Sequence, residues 1–90
     1  MRAEIDALDR EIVALLADRL HYIDEAARLK QSRDQVRDEA RIADVLAKVD
    51  AEAQRLGIER DVVRAAYRSL VEASIQHELS EFDRQVQSRH

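Results

Sequence analysis

Apolar side chains recur at alternating steps of three and four through the start of this chain, at Ile5, Leu8, Ile12, Leu15, Tyr22, Ala26 and Leu29. The position that completes the series between Leu15 and Tyr22 is Arg19. A stripe of this period is one face of a long helix that must be buried against another apolar surface. A guanidinium in such a stripe, buried without a counter-charge, costs on the order of 3 to 5 kcal/mol. Either a carboxylate of the chain neutralises Arg19 or a ligand does, and the two answers lead to different functions.

Nothing in the chain interrupts long helices. It has no proline, a single glycine (Gly57), 38% charged residues, two tyrosines and one phenylalanine, a balance that argues against a sheet-rich fold. An all-α fold in one domain over residues 1–90 is expected. The first helix is expected over Arg2 to Gln31, with Glu4, Asp6 and Asp9 in its opening turns and Arg28 and Lys30 at its end, as the helix dipole favours. Polar Ser32 to Val36 break the periodicity, and Ile42, Val45, Leu46, Val49, Ala53 and Leu56 mark a shorter second helix closed by Gly57. A third stripe through Val63, Tyr67, Leu70, Val71, Ser74, Ile75, Glu78, Leu79, Phe82 and Val86 is again long. The first helix would span about 45 Å, too much for a compact monomer of this length, whose radius of gyration should be about 12 Å. An intertwined homodimer is therefore expected.

Several function classes drop out. A net charge of −4 provides no basic field for nucleic acid, and the three aromatics form no stacking series. Cysteine is absent, so thiolate metal sites and cysteine nucleophiles are excluded. His21, His77 and His90 share no metal-ligand spacing and are read as surface or rim residues. Met1 leads directly into charged sequence, and no run of ~20 apolar residues follows. A cytoplasmic protein with no membrane contact, metal or cofactor is expected.

Polar residues interrupt both long stripes. Lys30 follows Arg19 by eleven residues, about 20° around the helix and about 16 Å along it, so two cations flank one groove. Ser74 and Glu78, four apart, place a hydroxyl and a carboxyl in the third stripe. Arg41 opens the second helix, where its planar fork suits a carboxylate. Each has a plain structural reading: Arg19 paired with Glu78, Lys30 extended to solvent, Arg41 solvated in a first turn, Ser74 and Glu78 a core polar pair. Together they are more than fold specificity needs, and they point to a small anionic ligand.

The opening RAEIDALDREIVALLADR, with Lys30 following at its interval, resembles the first-helix signature of the all-helical class of chorismate mutases: an arginine, an I-D-x-L-D segment, an apolar run and a second arginine. The long, short, long layout is also similar, so the resemblance covers nearly the whole chain. It implies an entwined homodimer with two equivalent sites, each completed by one arginine from the other chain. Arg2 matches that donated arginine, and its separation from Arg19, about 25 Å along one helix, agrees with a place in the opposite site. By the same resemblance, Arg19 and the donated Arg2 hold the side-chain carboxylate of a dianionic substrate, and Arg41 its ring carboxylate. Lys30 and residue 78 bond the ether oxygen, Asp38 lies near the ring hydroxyl, and Ser74 lies at the ring-carboxylate end. The implied reaction is the Claisen rearrangement of chorismate to prephenate, which uses no metal, cofactor or nucleophile.

Two residues depart from the family's pattern. Ile42 stands where these mutases usually carry a glutamate, and Glu78 where they usually carry a glutamine. A carboxyl at 78 must be protonated to donate to the ether oxygen, so activity is expected to fall as pH rises. An apolar residue at 42 is similar to the isochorismate-pyruvate lyases, a salicylate-forming branch of the same fold. Mutases of 4-amino-4-deoxychorismate are a further alternative. A non-catalytic helical dimer module, with Arg19 paired internally, is the reading outside enzymology.

Overall fold

The computed structural model describes residues 1–88. Three α-helices, α1 (Arg2–Leu29), α2 (Glu39–Leu56) and α3 (Arg60–Ser88), follow one another, with a single 3₁₀ turn at Arg33–Gln35 between the first two. The all-α, long-short-long reading holds. Helix α1 ends two residues before the expected Gln31, because Lys30 leaves helical geometry (φ −80°, ψ 143°). The Gln31 amide then donates to the Gln35 side-chain oxygen (2.6 Å) instead of continuing the helical ladder.

Local chemistry sets the other boundaries. Asp38 caps α2, its side chain accepting from the Arg41 amide at 3.0 Å. Gly57 closes α2 in the left-handed region (φ 68°, ψ 28°), where a side chain is disfavoured, and the Ile58 amide returns to the Ala53 carbonyl (3.1 Å).

Helix α3 is the shared plank: α1 and α2 both pack on it, the 3₁₀ turn packs on it, and α1 and α2 do not meet. The apolar centre lies between the turn, α2 and α3, where Val36, Val71 and Ile75 are buried and Ile42, Val45 and Leu79 close around them. Among the described residues no large side chain is fully buried. The shape is flat and extended, 51 × 30 × 15 Å, with a radius of gyration of 15.5 Å against the ~12 Å of a compact chain this long.

The stripe that begins the sequence is not what α1 buries within the chain. Ile5, Leu8, Ile12, Leu15, Tyr22 and Leu29 are each more than half exposed. Packing on α3 falls to Leu16, Leu20 and Ile23, partly covered, and to buried Ala27, a second stripe a short rotation away. The periodicity located the helix correctly but marked its unpartnered face. His21 is exposed as expected. His77 is not a bare surface residue, because its Nε2 lies 2.7 Å from Asp24 Oδ1 and ties α3 to α1. His90 lies outside the described residues.

Candidate active site

Where α1 and α2 diverge over α3, a groove opens. Helix α1 supplies Arg19, Ile23 and Lys30, the connection supplies Gln35, Val36 and Asp38, α2 supplies Arg41 and Ile42, and α3 supplies Ser74 and Glu78. The groove comprises two adjoining hollows of about 120 and 370 Å³ that share Arg19, Ile23, Val36, Asp38, Arg41 and Glu78. Seven of the eight residues singled out in the sequence thus line one space, though they come from four segments. Arg2 does not: it is exposed at the far end of α1, about 25 Å away by helical rise.

The groove's polar atoms are ordered by α3. Ser74 and Glu78, 5% and 6% exposed, sit one helical turn apart on the floor. The Ser74 hydroxyl donates to the Leu70 carbonyl at 2.7 Å, which commits its only proton and leaves its oxygen as an acceptor. Arg19 fills that role, donating from Nη1 at 2.6 Å. One turn on, Lys30 Nζ donates to Glu78 Oε2 at 2.9 Å, and its contact with the Ala26 carbonyl is longer, 3.5 Å. An ammonium has three N–H donors, so one remains for the groove.

Charge is distributed unevenly among the three cations. Lys30 has Glu78, and Arg41 has Asp44, which its Nη1 meets at 2.6 Å. Lys48 and Arg41 together hold the Asp44 carboxyl below its ordinary range. Among the described residues no carboxylate lies within 4.0 Å of Arg19, whose partner is a neutral hydroxyl. The internal pairing of Arg19 with Glu78 is therefore not found: Glu78 is taken by Lys30. The groove thus holds a half-buried guanidinium with no carboxylate beside it among the described residues.

Asp38 has two duties, since one of its oxygens caps α2 while the residue lines the groove. Ser74 lines the same hollow as Arg41 as well as bonding Arg19. Ile42 makes the α2 wall apolar beside Val45. Sequence reasoning passed over Val36 and Gln35, which it assigned to a polar break. The available signal was Val36 itself, a lone apolar residue within SRDQVRDEA.

Comparison with curated proteins gives no match. A family model described as chorismate mutase type II matches residues 1–79, a span that contains all eight residues singled out above. With three helices, an arginine and a lysine along one groove, and that match over most of its length, the chain belongs to the chorismate mutase type II family, an isomerase class.

Proposed function

We propose that this single-domain chain is a cytoplasmic chorismate mutase that converts chorismate to prephenate at two equivalent sites of an intertwined homodimer. The observation that carries this reading is Arg19, a groove-facing guanidinium with a neutral hydroxyl for a partner and no carboxylate at hand. A substrate carboxylate supplies the missing charge. The second chain's Arg2 would add a further cation, so that the groove's cations exceed its carboxylates and suit a dianion. The exposed stripe from Ile5 to Leu15 and the thin core support assembly, because a partner's apolar surface would cover both.

The rearrangement is intramolecular: the ether C–O bond breaks as a C–C bond forms across the folded substrate, and no atom enters or leaves. Catalysis is then a matter of holding the side chain over the ring, for which Arg19 and Arg41 grip separate carboxylates. The ether oxygen gains negative charge as its bond breaks, and the free N–H of Lys30 is the donor placed to meet it. Glu78 orients Lys30 through the 2.9 Å bond between them.

A second reading follows from Ile42. With an apolar residue on the α2 wall, Asp38 is left as the one carboxylate toward the ring substituent, which favours isochorismate and its elimination to salicylate and pyruvate as the alternative. A 4-amino-4-deoxychorismate substrate ranks third, since its cationic amine would have Asp38 alone. Incubating the purified protein with chorismate and isochorismate separately, and following prephenate, salicylate and pyruvate, tests all of these. Prephenate from chorismate supports the mutase. Neither turnover nor stabilisation by a dianionic bicyclic mimic of the transition state would leave a non-catalytic module.

A further inference from the structure

The nine residues from Lys30 to Asp38 connect two walls of the groove and carry a groove residue at each end. Their own structure is slight. The 3₁₀ turn contributes two backbone bonds, Gln35 to Ser32 and Val36 to Arg33, both 3.1 Å, and Val36 is the one buried side chain among them. Two arginines in this stretch nevertheless reach across to α3. Arg33 Nη1 lies 3.2 Å from both carboxylate oxygens of Asp83, and Arg37 Nη2 lies 2.6 Å from Glu72. Glu72 and Asp83 bracket Ser74 and Glu78, so the two ion pairs fasten the connection on either side of the floor residues that meet Arg19 and Lys30.

We propose that Arg33–Asp83 and Arg37–Glu72 form a two-point electrostatic strap whose task is to position Lys30 and Asp38, and that these four are positioning residues. This rests on the mutase reading for its activity readout. Each pair is about half exposed, so each adds little to global stability and is screened by salt. Besides these pairs, only buried Val36 and the bond from Lys30 to Glu78 fix the connection's course over α3. Slackening the strap frees the backbone that holds the Lys30 ammonium near 2.9 Å from Glu78, while leaving the α1–α3 and α2–α3 packing intact. Since Lys30 meets charge that develops only in the transition state, the loss should fall on kcat more than on KM.

The test compares Glu72→Gln, Asp83→Asn, their double variant, and the reversed pair Arg37→Glu/Glu72→Arg. Each is measured for kcat and KM with chorismate, for the thermal midpoint, and for amide exchange at Gln35 and Val36. Expected are a loss in kcat of about 3-fold for each neutral variant and about 10-fold for the double, with KM and thermal midpoint little changed. Exchange at Gln35 and Val36 should quicken, and the reversed pair should recover kcat to within about 2-fold of wild type. A double variant with unchanged kcat and exchange overturns the strap, and so does a loss that charge reversal fails to rescue. If the wild-type protein turns over neither chorismate nor isochorismate, the mutase reading fails separately. The strap is then judged on exchange alone, and unchanged exchange in the double variant overturns it.

Discussion

Replacing Arg19 with methionine separates the two meanings of a charge in an apolar stripe. Methionine keeps the unbranched stem, which also lines an apolar hollow with Ile12, Leu15, Tyr67 and Leu70, and removes only the guanidinium. On the folded side the loss is one hydrogen bond to Ser74, whose hydroxyl keeps its 2.7 Å bond to the Leu70 carbonyl, so no buried donor is stranded. The expected change in stability is within about 1 kcal/mol of zero, or about 4 to 8 °C at most in a domain of this size. A buried ion pair broken on one side would instead cost about 3 to 5 kcal/mol. On the catalytic side, two charge-assisted bonds to a substrate carboxylate are worth about 3 to 6 kcal/mol together, so kcat/KM should fall by about 10² to 10⁴. Chorismate consumption followed in the ultraviolet, with thermal unfolding at one fixed protein concentration, reads both. A variant that retains kcat/KM within about tenfold, or that loses about 3 kcal/mol or more of stability, would refute the reasoning.

Three further outcomes follow. Because Glu78 holds Lys30 at 2.9 Å and a glutamine keeps that acceptor while adding a donor for the ether oxygen, Glu78→Gln should keep kcat/KM at or above the wild-type value while Glu78→Ala lowers it by about tenfold; equal losses in the two variants sink that role. Mixing Arg2→Ala and Arg19→Met proteins, each nearly inactive, should restore about a quarter of wild-type activity, since half the dimers are mixed and each has one intact site; no recovery after subunit exchange rules out a donated Arg2. In acid, carboxyls held low in the folded state should weaken the fold: Arg60 depresses Asp50, Lys48 then Arg41 depress Asp44, and Arg84 then Gln85 depress Glu81. The unfolded chain binds protons at these groups first, so their contribution is whole above about pH 5 and drains away as pH falls through the folded-state values. Thermal midpoints measured from pH 7 to pH 3 should show this, and an identical slope in Asp50→Asn would contradict it.

How much of this was legible beforehand differs from residue to residue. The helices were, because the spacing of Ile42, Val45, Val49 and Ala53, and Gly57 after Leu56, are local properties of the chain. So was the gathering of Arg19, Lys30, Ser74 and Glu78, since Ser74 and Glu78 interrupt the stripe that α3 buries and Lys30 follows Arg19 at nearly the same angle. The partner choice was not. Whether Glu78 takes Arg19 or Lys30 depends on the axial offset of α1 against α3, which periodicity leaves free. Nor was the face of α1 that meets α3, because the exposed stripe through Ile5 and Leu15 and the covered one through Leu16 and Ile23 have the same period and differ only by rotation. Val36 was hidden by its surroundings: a single valine among charges has no repeat to announce it, yet it anchors the connection in the core.

The absence of contact between α1 and α2 has a consequence for how such a site can change. Arg19 and Lys30 of α1 stand on one bank, and Arg41 and Ile42 of α2 stand on the other, joined only through α3 beneath them and the short connection at one end. A substitution at Ile42 redecorates the second bank without displacing Arg19 or Lys30 on the first. A substitution on the shared floor, at Val71 or Ile75, shifts both banks together. Under the proposed mutase reading, the architecture separates the grip on a carboxylate from the reading of a ring, so that the ring acted on could drift while the hold on the carboxylate stays fixed.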